Sequence, residues 1–327
     1  MPRVTLATIA ARTGLSKFAV SRALSGKSGV SEQTRQRVEA AAAELGYVRE
    51  KASAPSRILG IVFHDADLIN SELQLLVQTG FTTQAQKLGY QTRIMWSHAT
   101  DQIAAFSRDC LGVALVGPHS AQSMYRLRDA GVPLARNGWI EPLEGFDMVH
   151  GTDHEAGSAI AKYLLGLGHR RILYVHGAPR YRGRMERFYG LREVLELHEG
   201  VELRQMTFER EQDFAAELET IRADGFEPTA YFCAHDGLAL TAMSELLRLG
   251  YRIPADATII GFGDFSAATQ ITPHLTTVKT QGKEIGAGLA RLLDDRITGR
   301  VPADIALRIM VTGHIIERGS SGPAPTA

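Results

Sequence analysis

Residues 4–47 read VTLATIAARTGLSKFAVSRALSGKSGVSEQTRQRVEAAAAELGY. Thr5 suits a helix N-cap, and Leu6, Ile9 and Ala10 then share one face of a helix that Gly14 ends. Ser16 caps a second short helix, Lys17 to Leu24. A third starts after Ser31, with Glu32 in its first turn. Val38, Ala41, Ala42 and Leu45 form its apolar stripe, and Gly46 ends it. Helix, glycine turn and helix within about twenty residues is the signature of a helix-turn-helix. Three such short helices enclose only a small core, so this module is marginally stable by itself.

The second helix is the candidate reader of a DNA major groove. Lys17 can donate to guanine O6 and N7, and Phe18 can pack on a thymine methyl. Ser16, Ser21 and Arg22 suit phosphate or guanine, while Val20 and Leu24 face the module's own core. The plainer readings are a core residue for Phe18 and a solvated charge for Arg22. With the caps and one basic residue of the third helix, the candidate DNA-binding set is Thr5, Ser16, Lys17, Phe18, Ser21, Arg22, Ser31 and Arg35. Gly26-Lys27-Ser28 mimics the end of a phosphate-binding loop. That motif needs a glycine at position 21, where Ser21 stands, and a preceding strand.

Charge supports the assignment. Residues 1–57 hold ten Lys/Arg against four Asp/Glu, a balance of +6 hidden in a whole-chain net charge of zero. The remaining residues balance it at −6, with 26 basic and 32 acidic side chains. A basic head meets phosphate; an acidic body need not. At 327 residues and 44% apolar, the chain has room for two or three domains with real cores. No uninterrupted run of 18 apolar residues is present, and the N-terminus lacks the apolar stretch of a signal peptide. Cys110 and Cys233 stand far apart, as suits a reducing cytoplasm.

From Ile58 onward, apolar runs alternate with amphipathic stretches. ILGIVF (58–63), QTRIMW (91–96), VALV (113–116), VPLA (132–135), ILYVH (172–176), AYFCA (230–234) and ATIIGF (257–262) read as strands. Glu72–Leu88, Gln122–Ala130, Glu155–Gly166, Arg184–His198, Asp213–Ala223 and Leu238–Leu249 read as helices. The expected fold is α/β. A small all-α helix-turn-helix head precedes a two-lobed body of doubly wound parallel sheets, with a ligand cleft outside the carboxyl ends of the strands. Enzyme readings find little support. His150 and His154 straddle a strand end and a helix start, without a third ligand or an HExxH motif. Gly286-Ala287-Gly288 falls inside a helix and lacks the third glycine of a dinucleotide loop, and no GxSxG occurs. No metal or cofactor is expected.

These residues resemble a known family. VTL, IA, GLS, VSRAL and VS..TR..V..A..ELGY are similar to the N-terminal domain of LacI/GalR regulators. LGLGHRRILYV (165–175), residues 232–264 and HLTTVKTQGKEIG (274–286) are similar to its effector-binding domains, which look like periplasmic sugar-binding proteins. The resemblance spans residues 3–318. It implies a cytoplasmic homodimer that binds palindromic operator DNA, most simply as a repressor, under control of a small sugar or sugar-acid effector. Implied boundaries are 1–48 for the DNA-binding head, 49–57 for a linker, 58–318 for the effector-binding and dimerisation body, and 319–327 for a disordered tail. Implied effector residues are Asn70, Arg187 in ERFYG, Phe214 in REQDF, His235 and Asp236 in CAHD, and Asp264 in GFGD. The alternatives are a surface ion pair for Arg187, lobe core for Phe214 and a helix cap for Asp236.

GFGD, LTTV and Lys17 are most like the gluconate-repressor branch, and Arg126, Arg136, Arg180, Arg182 and Arg184 are basic partners for a carboxylate. The linker REKASAPSR departs from the family pattern. It has no leucine to wedge into the minor groove, and Pro55 limits any hinge helix. The rival readings are a small-molecule-binding protein or a sugar-processing enzyme with no transcriptional role.

Overall fold

The computed structural model describes residues 5–24, 30–45, 47, 57–65, 71–138, 141–177, 181–208 and 213–326. The chain divides into two compact units, Met1–Ser56 and Arg57–Ala327. Apart from Arg57, the 49–57 linker lies outside the described residues.

In the head, α1 (Leu6–Thr13), α2 (Lys17–Leu24) and α3 (Glu32–Glu44) form as the capping pattern dictates. The Thr5 amide is bonded by Thr8 Oγ1 at 3.2 Å, Ser16 Oγ accepts from Ala19 N at 3.1 Å, and Ser31 Oγ accepts from Thr34 N at 3.2 Å. Gly14 ends α1 at φ 68°, a left-handed position that suits glycine. Ile9, Val20, Ala23 and Val38 make the centre of a small core that Leu6, Leu15, Leu24 and Tyr47 partly cover.

The body begins with β1 (Ile58–Phe63), α4 (Ser71–Lys87), β2 (Gln91–Trp96), α5 (Thr100–Ser107), β3 (Gly112–Val116), α6 (Ala121–Asp129), β4 (Leu134–Asn137) and β5 (Asp147–Gly151). It continues with α7 (Asp153–Gly166), β6 (Arg171–Val175), α8 (Arg182–Leu195), β7 (Glu202–Met206), α9 (Phe214–Ala223), β8 (Ala230–Cys233), α10 (Asp236–Arg248), β9 (Thr258–Gly263) and β10 (Thr276–Lys279). Last come α11 (Gly282–Ile297), β11 (Arg308–Val311) and β12 (His314–Ile316). Among the described residues the strands make two six-stranded sheets, ordered β11-β5-β4-β3-β1-β2 in lobe 1 and β12-β10-β9-β8-β6-β7 in lobe 2. All pairs are parallel except β10–β12. The chain therefore crosses between lobes three times: at β5–α7, at β10–α11 and at β11–β12.

Several elements escaped the sequence reading, α5, β7, β10, β11 and β12, and of β5 it gave only the end beside His150. β7, β11 and β12 have half-exposed or exposed residues along most of their length, so no apolar run marks them. Each lobe also pairs two helices closely enough that a side chain has no room. In lobe 1 a Cβ on Gly80 of α4 would strike the carbonyl of Lys283, and one on Gly286 of α11 would strike that of Val77. In lobe 2 Gly157 of α7 faces the carbonyl of Arg187 in the same way, and Gly190 of α8 faces that of His154.

The tail expected to be disordered is ordered through residue 326. Ser320 O accepts from Ile259 N at 2.8 Å and Ser320 Oγ accepts from Thr276 N at 2.8 Å. Gly322 N donates to Thr258 Oγ1 at 3.0 Å, and Ala324 N donates to Leu167 O at 2.8 Å. The physical reason is that backbone groups beside β9 and β10 need partners, and this segment supplies them. Buried His169 reinforces it, with Nε2 3.1 Å from Gly322 O and Nδ1 3.0 Å from Thr229 Oγ1.

Candidate functional site: a recognition helix and an interlobe cleft

Lys17, Phe18, Ser21 and Arg22 fall on one face of α2, opposite the buried Val20 and Ala23. Phe18 is 69% exposed, so it is not a core residue. Its ring lies 5.4 Å from the Arg22 guanidinium carbon, a cation–π approach that orders both side chains on the outer face. Thr5, Ser16 and Ser31 are occupied as caps. Arg35, half-buried, stands 4.0 Å from Glu32. Arg37 donates to the Thr13 carbonyl, tying α3 to the end of α1.

In the body, a cavity of about 580 Å³ lies between the lobes, at the carboxyl ends of the strands. Arg187 lines it from α8. Its Nε donates to Asp153 Oδ1 at 2.8 Å, its Nη1 donates to the Ala234 carbonyl, and its guanidinium carbon stacks 3.4 Å from the Phe262 ring centroid. The fork is thus held in place before any ligand arrives. His235 lines the same cavity and caps α10, its Nδ1 accepting from Leu238 N at 3.3 Å. That bond leaves the proton on Nε2. Burial, then the charges of Arg184 and Arg187, push its pKa down to about 3, so it stays neutral. Arg184, also lining the cavity, donates to His176 O at 3.0 Å.

Of the other implied effector residues, three do not line the cavity. Phe214 is fully buried, edge-on to Phe208 at 6.2 Å, and belongs to the lobe 2 core. The Asp236 carboxylate is consumed internally, accepting from Thr277 Oγ1 at 2.6 Å and Phe265 N at 2.8 Å. Burial raises its pKa. Asp264, at φ 58°, accepts from Arg318 at 2.6 Å and pairs with Lys279 at 3.3 Å. Asn70 and Arg180 lie outside the described residues. Arg126 pairs with Asp101 rather than facing the cavity.

Lobe 1 contributes side chains the sequence reading passed over or named only as spare cations. Arg136, on β4, is 1% exposed, and its nearest carboxylate is Glu144 at 3.8 Å. Its Nε and Nη1 have no hydrogen-bond partner. Burial lowers its pKa to about 10, Glu144 opposing, so it is charged at neutral pH. His119 and Glu144 line the cavity beside it. The signal for Arg136 was available: a cation directly after the apolar run VPLA.

Two family models match the chain: that of bacterial regulatory proteins, lacI family, over residues 5–50, and a periplasmic binding protein-like domain over residues 161–321. The HTH-type transcriptional regulator reg1 of Streptomyces lividans is 30% identical over 343 residues, covering 98% of this chain and 97% of that protein. The HTH-type transcriptional regulator CelR of Thermobifida fusca is 29% identical over 344 residues, covering 97% and 98%. A solved complex of the transcriptional regulator CelR with cellobiose superposes with a TM-score of 0.70 at 26% identity, covering 97% of this chain and all of that one. Among the described residues no helix is long and apolar enough to cross a membrane. The chain belongs to the lacI family of bacterial regulatory proteins: it is a DNA-binding transcriptional regulator and not an enzyme.

Proposed function

We propose that this regulator is a cytoplasmic homodimeric repressor whose affinity for a palindromic operator is set by a small sugar or sugar acid held between the lobes. The observation that carries the reading is the interlobe cavity, faced from lobe 2 by a prearranged guanidinium and a neutral histidine. Such a wall suits vicinal hydroxyls or a carboxylate. The CelR–cellobiose complex, of the same fold, supports a sugar as the ligand class. A ligand that binds one lobe arrangement better than another shifts operator affinity by that difference, and operator DNA shifts ligand affinity equally.

The test uses an operator selected from random duplexes and read by fluorescence anisotropy. Arg22→Ala weakens operator binding by roughly 1–3 kcal/mol. Arg187→Ala removes the response to the releasing sugar while the operator is still bound. Equal operator affinity for wild type and Arg22→Ala would refute the recognition helix. An unchanged sugar response in Arg187→Ala would remove that side chain from the site.

A further inference from the structure

Two buried polar side chains on the lobe 1 wall of the cavity have unmet hydrogen-bonding capacity. Arg136 is 1% exposed with Nε and Nη1 unpartnered, and His119 is 5% exposed with Nδ1 unpartnered. Native interiors leave few such groups, and each one calls for an account. Their chemistry is specific. His119 Nε2 lies 3.3 Å from the Val62 carbonyl, which can only accept, so Nε2 carries the proton and Nδ1 offers a lone pair. Burial holds His119 neutral, its pKa lowered to about 4, with the neighbouring His64 and Arg136 acting in the same direction and the Val62 and Val116 carbonyls opposing. His64 stands edge-on to the ring at 5.3 Å and limits its rotation. Arg136 offers two N–H donors, and Glu144, at 3.8 Å, is too far to accept them well.

The lobe 1 wall of the cavity therefore carries unsatisfied donors on Arg136 and an acceptor on His119. A carboxylate satisfies only Arg136, because it has no proton to give His119, and it meets the Glu144 charge. A hydroxyl does both, accepting from a guanidinium N–H while donating to an imidazole lone pair. We propose that Arg136 and His119 form a hydroxyl-reading subsite in lobe 1 that takes the polyol end of the effector, and that this pair decides which hydroxylated ligand the cleft accepts. This rests on the sugar-binding reading above and adds to it the end of the ligand and the side chains that select it.

The test uses the full-length protein, calorimetry and five probes: D-glucose, D-galactose, D-gluconate, D-galactonate and cellobiose. Deoxy analogues of the tightest binder follow, one hydroxyl at a time. The double variant Arg136→Met/Glu144→Gln, which leaves no buried unpaired charge, weakens that binder roughly 10- to 100-fold. It melts no lower than wild type without ligand. In His119→Phe one deoxy analogue binds as well as its parent, whereas wild type discriminates between them. Equal sugar affinity in wild type and the double variant overturns the subsite alone. So does a drop of several degrees in the ligand-free melting temperature, which would make Arg136–Glu144 a structural pair. A preference for aldonates over aldoses that disappears in the double variant assigns a carboxylate to Arg136 and overturns the hydroxyl assignment. If wild type binds none of the five probes, the sugar reading of the cleft falls and the subsite falls with it.

Discussion

The two lobes share a construction and differ in their cleft walls. Both are doubly wound sheets, parallel except for β12 of lobe 2, and both seat two helices together through glycines that leave no room for a Cβ. Yet the lobe 2 arginines on the cavity are bonded within that lobe: Arg187 to Asp153, Arg184 to His176 O and Arg182 to Glu186. Lobe 1 instead leaves Arg136 and His119 partly unsatisfied. Framework is duplicated; ligand chemistry is not. One wall is satisfied within its own lobe, and the other keeps unpartnered polar atoms. The outer edges differ too. Lobe 1 fixes its β11 side with a buried ion pair, Arg296 gripping Asp147 through two contacts of 2.6 Å, while Asp147 also accepts from Leu307 N at 2.8 Å. Lobe 2 fixes its C-terminal segment with hydroxyls and the neutral His169.

That contrast can be broken most forcefully at the ion pair. Arg296→Met strands Asp147 in the interior and is expected to destabilise the body by about 3–5 kcal/mol in urea unfolding. A loss below about 1 kcal/mol would mean the edge is held by backbone bonds instead. The shared framework is probed next. Gly80→Ala in lobe 1 and Gly190→Ala in lobe 2 each drive a methyl into a carbonyl and should each remove roughly 3 kcal/mol. Matching losses sharpen the likeness of the lobes, and a large asymmetry breaks it.

Acid gives the smallest effect per side chain and the most selective one. His169, His176 and His235 in lobe 2, and His119 in lobe 1, have pKa values lowered chiefly by burial from an ordinary value of 6.5. Between 6.5 and the lowered value only the unfolded chain takes up the proton. Stability is therefore full above 6.5 and declines as the pH falls. For His235, lowered to about 3, the loss at pH 5 is on the order of 2 kcal/mol. Hydrogen exchange at pH 5 and pH 7, corrected for intrinsic rates, should show lobe 2 losing more protection than lobe 1. The head, with no histidine in residues 1–57, should lack this contribution. Equal loss in both lobes would contradict the assignment.

Much of this architecture was legible because apolar periodicity and capping are local. Thr5, Gly14, Ser16 and Ser31 mark the head's helices within a residue, and ILGIVF reads as the buried strand it is. Edge strands such as Glu202–Met206 carry no such mark, since their exposed faces tolerate polar residues. Family motifs pointed to segments that border the cavity, but they could not give the direction of a side chain. Arg187 and His235 point into the cavity; Phe214 turns into the core and Asp236 back onto β10. For Arg136 the cation after an apolar run was visible, but its lack of partners depends on how the fold arranges β4, Glu144 and His119 around it. The 319–326 segment shows the converse. Disorder was expected there, whereas its hydrogen bonds to β9 and β10 depend on long-range pairing.

The three crossings have a consequence for synthesis. Lobe 1's early strands leave the ribosome long before α11, which brings Ile285, Leu289, Ala290, Leu292 and Leu293 to cover Leu59, Ile61 and Phe63. Lobe 2 meanwhile lacks β10 and β12. Apolar surface in both halves thus stays open until residues near 300 emerge, a window in which chaperones compete with aggregation. A nascent chain arrested near residue 275 is not one finished lobe beside an unfinished one. It is two unfinished lobes, each waiting on the same late stretch of polypeptide.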